Sequence, residues 1–166
     1  HLIPGNASLK PSSIVQYISK SKGKIAENIG YNVNSAQNGV WLAGWYAISG
    51  WGKLRVTDDE FCRNYVEAAI RETRAQFHDT HPDYSDHVLN KLEELVIEIT
   101  KVGQALCEEC KKIKENDGLL PPPYGLVNEL NKISGSLRRS VTAGKKWKPP
   151  IITASTWEAV ILKVGN

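Results

Sequence analysis

Methionine is absent from this 166-residue chain, phenylalanine occurs twice and cysteine three times. An odd cysteine count argues against a disulfide scaffold. Cys107 and Cys110 fall on neighbouring positions of one strongly helical stretch, where zinc would still want two more ligands, so the thiols read as core or surface residues. No run of about 18 apolar residues is present to span a bilayer, and no basic-then-apolar leader is present to be cleaved. There is no internal repeat. The chain starts at His1 rather than at an initiator Met, and the expectation is a C-terminal fragment of something longer, in which the missing leader says nothing about export.

Apolar residues make up 41% and charged residues 23%, ordinary values for a globular protein and unlike a disordered one. That length suits one domain, residues 1–166, with a real core. The net charge is +3, from 21 Lys and Arg against 18 Asp and Glu. Its distribution is more telling than its size. Lys10, Lys20, Lys22 and Lys24 lie early, and Arg138, Arg139, Lys145, Lys146 and Lys148 lie late. Two such clusters could track a phosphate backbone, or they could be solvated faces.

His1 to Pro4 suits a strand end or turn, closed by Pro4-Gly5. Pro11-Ser12-Ser13 opens a helical stretch to about Ile25, with Ile14, Tyr17 and Ile18 on one side. Asn32 to Asn38 is turn chemistry. The aromatic, glycine-rich passage Gly44 to Gly52 reads as a loop whose tryptophans cap the core. Thr57-Asp58-Asp59-Glu60 is a capping-box sequence, which predicts a helix from Asp58 to about Gln76 with Phe61, Tyr65, Ala68 and Ile70 inward. Pro82 fits a first helical position with His81 or Thr80 as cap. Val88, Leu92, Leu95, Ile99, Val102, Leu106, Cys110 and Ile113 then form one apolar seam at three- and four-residue steps. Pro121 to Pro123 is a stiff connector, Val127 to Val141 a further amphipathic helix, and Thr153 to Val164 a segment of open type. The fold class is mostly α, with a small strand element near the start.

Histidine can serve both needs of metal-assisted phosphodiester hydrolysis: it ligates the cation and, at near-neutral pKa, activates water. Read singly, each of the four histidines is more often a surface or satisfied core residue than a ligand. Their flanks change that balance. His1-Leu2-Ile3-Pro4, Asn34 to Leu42 with its Asn38-Gly39-Val40-Trp41-Leu42 run, and His78-Asp79-Thr80-His81-Pro82-Asp83-Tyr84 before a Leu-rich helix resemble the AHH nucleases. That family belongs to the HNH/endonuclease VII group with the ββα-metal (His-Me finger) core, and its members typically occur as toxin domains of secreted bacterial effectors.

The resemblance implies a helical domain around a small ββα-metal core, an α+β arrangement. It implies His1 as general base, Asn38 as the central Asn that orients the hairpin or helps hold the metal, and His81 with His78 as metal ligands. His87 fits a turn beyond His81 and reads as a solvated helix residue. A divalent ion is implied, Mg²⁺ by default, with Zn²⁺, Mn²⁺ or Ni²⁺ acceptable to imidazole. The implied partners are DNA, with RNA left open, and an immunity protein, with no membrane; the implied route is secretion from the producer and action in the target-cell cytoplasm. Two departures stand out. The Ala-His that the family places before this His is not in the sequence, and that first His is the expected metal ligand. A long stretch also separates Leu42 from His78, which implies an inserted helix. The competing reading is a helical protein-binding module with a degenerate nuclease motif. A third, a copper site on the α-amine and imidazole of His1, wants an all-β scaffold that this sequence does not suggest.

Overall fold

The computed structural model describes residues 1–45, 59–105, 118–142 and 147–165, with residues 103–105 as backbone only. Among the described residues four α-helices stand out: α1 (Asp59–Thr73), α2 (Pro82–Ala105), α3 (Leu126–Thr142) and α4 (Glu158–Gly165). Two short strands, β1 (Ala43–Gly44) and β2 (Phe77–His78), form the sheet. The fold is mostly α with a small β element, as expected. No described helix is long and apolar enough to cross a membrane.

The strands pair in parallel, Ala43 opposite Phe77 and Gly44 opposite His78. The inserted helix makes this direction possible. Parallel neighbours need a crossover connection, usually helical, and α1 lies between them in the chain. Gly44 permits the close approach, because a Cβ there would stand 2.9 Å from the His78 carbonyl oxygen.

Apolar residues gather into two clusters. The first joins Leu2, Ile3, Ile14 and Ile25 to Tyr84, Val88, Leu92 and Leu95 of α2 and to Leu126, Leu130, Leu137 and Val141 of α3. Each fully buried aliphatic side chain there contributes about 2 kcal/mol. The second joins Val66 and Ile70 of α1, Phe77 of β2, Trp147, Ile152, Ala154 and Ile161 of α4. Trp45 packs into this second cluster, with ring centroids 5.4 Å from Phe77 and 5.7 Å from Trp157. Its place in the core agrees with the reading of the aromatic passage; residues 46–52 lie outside the described set.

Several expectations change in detail. Residues 12–25 form no continuous helix, but 3-10 turns at Ser13–Tyr17 and Lys20–Lys22. Asn28 Oδ1 takes the Lys20 amide at 2.8 Å, and Gly23 ends the second turn in the left-handed region at φ 86°. Ile25 is then extended, bridging in parallel to Leu120. On α1 the inward stripe is Cys62, Val66 and Ile70, whereas Phe61 and Ala68 face outward. Ile70 and the half-buried Tyr65 keep their expected places, and Cys62, of one of the most buried residue types, stands inward where the larger Phe61 does not. The helix also stops three residues early, at Thr73, where Arg74 takes φ 52°; Gln76 is therefore outside it. Along α2 the seam is buried through Leu95, half-buried at Ile99 and exposed at Val102, and its members from Leu106 onward lie outside the described residues, as do Thr57 and Asp58 of the capping box. The 126–142 helix stands where expected, and the open last segment is helical.

Candidate active site

His1, His78 and His81 line one cleft of about 160 Å³, together with Trp41, Tyr84 and Thr153. Each histidine arrives on a different kind of support. The His1 segment is not a regular strand, yet its backbone is held at every turn: Leu2 N donates to Asn38 O (2.8 Å), Ile3 N to Asn38 Oδ1 (2.7 Å), and Tyr84 Oη to Leu2 O (2.7 Å). Tyr84 is buried, and burial pushes its hydroxyl pKa well up, so it stays a donor at any working pH.

Asn38 ends the 3-10 turn Ala36–Asn38 and is fully buried. Its Nδ2 donates to Ile3 O (3.0 Å) and Val33 O (2.9 Å), while its Oδ1 also accepts from Ser134 Oγ (3.0 Å). Two donors and two acceptor sites are all that an amide offers. Every one is engaged within the protein, so in this arrangement the side chain orients the chain around it.

His78 is the last residue of β2. It is half-buried, and burial foremost, with the neighbouring His81 adding and Asp79 opposing, lowers its pKa. Its neutral form is thereby favoured. Just before it, Gln76 is fully buried. Gln76 Oε1 accepts from Thr153 N (2.8 Å), and Nε2 donates to Ile151 O (2.8 Å). The Thr153 hydroxyl lies 2.8 Å from Phe77 O, and Asp79 N donates to Thr153 O (2.9 Å), so residues 151–153 run along β2 and its exit.

His81 caps α2, its carbonyl accepting from Ser85 N (3.1 Å), and Pro82 takes the first helical position. The His78 and His81 ring centroids stand 5.0 Å apart. His81 Nδ1 is 3.1 Å from Ser85 Oγ; with Nδ1–H donating, Nε2 keeps its lone pair for a ligand, the usual partnering of a metal-bound imidazole. Among the described residues no three His, Cys, Asp or Glu side chains come together as a cation site. His87 is not in the cleft lining, and among the described residues its Nε2 is buried without a partner.

Sequence reasoning missed four supporting residues. Tyr84 closes the His81-Pro82-Asp83 run with nothing local to mark it as a brace, and Gln76 falls at the end of a helical pattern. Ser134 and Arg138 sit on α3, about a hundred residues from what they hold. Arg138 Nη2 reaches the carbonyls of Ala36 (2.8 Å), Gln37 (3.0 Å) and Gly39 (2.8 Å). Its cation thus caps the Asn38 turn instead of standing free in the late basic cluster. Arg139 and Lys148 are exposed, as are Lys10, Lys20, Lys22 and Lys24; Lys145 and Lys146 lie outside the described residues.

The cleft thus brings together three histidines, one at a strand end, one at a helix start and one on an ordered opening segment. The chain belongs to the AHH family, described as a nuclease family of the HNH/ENDO VII superfamily with conserved AHH, whose model matches residues 1–116. No curated protein and no solved structure matches it. Nucleases of that superfamily are generally metal-dependent and act on nucleic acid.

Proposed function

We propose that this domain is a metal-dependent, non-specific endonuclease acting on DNA, deployed as the toxin domain of a secreted bacterial effector and neutralised in its producer by an immunity protein. The observation that supports the chemistry is the meeting of His1, His78 and His81 in one cleft of a chain from a nuclease family. The residues present fit a divalent cation: His78, with its neutral form favoured, and His81, with Nδ1 beside Ser85 Oγ, offer two imidazole donors. Such an ion, when bound, polarises the phosphoryl oxygen and offsets charge on the leaving oxygen. His1 takes the proton of the attacking water. The start of α2, at the cleft, adds the positive end of a helix dipole, which favours a phosphate.

Plasmid DNA should be degraded in Mg²⁺ or Mn²⁺ and spared in EDTA. His81→Ala should weaken metal binding in calorimetry, whereas His1→Ala should keep it and lose about 10²–10⁴-fold in turnover. Cleavage unaffected by EDTA would overturn the metal assignment, and equal calorimetric losses in the two variants would overturn the division of roles.

A further inference from the structure

The tryptophans of the described chain divide sharply. Trp147 is 3% exposed and packs with Trp45 and Trp157 around the second core, whereas Trp41 is 98% exposed. The backbone dictates that exposure. Val40 and Leu42 both pack against the first core, and in an extended chain the residue between two inward neighbours must point out. The ring is also mounted firmly: two residues before it Arg138 grips the Gly39 carbonyl at 2.8 Å, and two residues after it β1 begins its pairing with β2. Trp41 lines the cleft that holds His1, His78 and His81.

A large apolar ring held in water at the edge of a histidine cleft lacks an internal reason to be there. From this we propose that Trp41 is a stacking platform for one nucleobase adjacent to the phosphate that enters the cleft, so that the preferred substrate presents an unpaired base at that point. The inference rests on the nuclease reading. Its chemistry is that of sequence-tolerant single-strand binders, in which an aromatic face receives any base because every base has a π-face. A base within a closed duplex is already stacked and gains nothing there, so the platform favours single strands, frayed ends and locally opened duplex.

Equilibrium binding in EDTA separates this inference from catalysis. The probes are a fluorescein-labelled thymidine 12-mer, an abasic 12-mer of the same charge, and a closed hairpin duplex. The intact chain should bind the thymidine strand about tenfold more tightly than the abasic strand, the scale of one base–aromatic stack. Trp41→Ala should bind both strands at the abasic level, Trp41→Phe should retain most of the preference, and neither substitution should alter duplex binding. A wild-type chain that does not distinguish the two strands, or a Trp41→Ala chain that still does, overturns the platform and leaves the ring to a protein partner. Equal loss on all three probes, with a lowered melting temperature, overturns it in favour of a structural role. Base-dependent binding with no cleavage in any divalent metal would sustain the platform while sinking the nuclease reading.

Discussion

Asn38 and Gln76 are two fully buried amides, each with its hydrogen-bonding groups engaged inside the protein, and each beside a histidine of the cleft. Asn38 holds the segment that carries His1, at the edge of the first core. Gln76 holds the approach to His78, at the edge of the second. The difference lies in what they bind. Three of the four contacts of Asn38 go to residues 3 and 33, whereas Gln76 bonds to Ile151 and Thr153, beyond the 1–116 stretch that matches the nuclease family. The Asn38 wall thus takes most of its amide contacts from nearby chain, with Ser134 and Arg138 of α3 added from outside the matched stretch, whereas both side-chain partners of Gln76 come from the chain's last third.

The largest effect should come from Asn38→Ala. It strands Ile3 N and Ile3 O in the interior and frees the partly buried Val33 O, and a buried polar group without a partner costs about 1–3 kcal/mol. Stability should fall by roughly 3 kcal/mol or more in urea unfolding, and turnover about a hundredfold, because a small misplacement of a reacting group is enough for that. Asn38→Asp keeps the acceptor and loses the donor that faces two carbonyls, and it should be nearly as harmful. Turnover lost at unchanged stability would mean that Asn38 acts on the substrate and is not a brace, and the comparison with Gln76 would fail.

Gln76→Leu should come next. It fills similar volume but leaves Thr153 N and Ile151 O unpartnered, for about 2 kcal/mol of stability. Its functional signature should differ from that of Asn38→Ala: weaker metal binding through His78, with the His1 side intact. Calorimetry showing wild-type metal affinity in this variant would disconnect Gln76 from the cleft.

The two amides also mark how far the sequence could be read. Asn38 stands inside a run whose flanks, Gly39-Val40-Trp41-Leu42, carry recognisable family character, so its importance was visible although its bonding was not. Gln76 has no such flank. Its partners lie some 75 residues away, and nothing local separates a buried hub from a solvated helix residue. Helices with long regular stripes, α2 and α3, were legible because periodicity is a local signal. The 12–25 segment was not, since Asn28 and Leu120 redirect it through contacts that a local pattern cannot contain. The two-residue strands were not legible either, because neither Ala43–Gly44 nor Phe77–His78 is long enough to show an alternating pattern.

Arg138 sharpens the comparison from the side of Asn38. Its three carbonyl contacts are at the surface or partly buried, so water can replace the guanidinium, and Arg138→Gln should cost only about 1 kcal/mol. The informative readout is salt. A residue that contacts a phosphate contributes about one unit to the slope of log affinity against log salt. As a cap on the Asn38 turn, Arg138 should leave that slope unchanged in DNA binding while lowering the melting temperature slightly; Arg139, exposed on the same helix, is the contrasting position. A slope reduced by one in Arg138→Gln would return the residue to the nucleic-acid surface.

The smallest effect concerns one of the buried polar groups that, among the described residues, lack what both amides have. His87 Nε2 is buried without a partner, and burial foremost, with Lys91 adding and Glu94 opposing, lowers the pKa of His87 below 6.5. Because the folded state takes up this proton less readily than the unfolded state, stability from His87 is fully present above the unfolded pKa. It is lost as pH falls from about 6.5 toward the lower folded value. His87→Leu removes the ring and its titration, so the variant should match or slightly exceed wild type near pH 8 and gain on it near pH 5. Urea midpoints at the two pH values test this as a difference between the two proteins, in which the other titrating groups cancel. If the gap between variant and wild type is the same at both, the ring finds water or a new partner when it is protonated. Its contrast with Asn38 and Gln76 would then be one of packing and not of unmet hydrogen bonding.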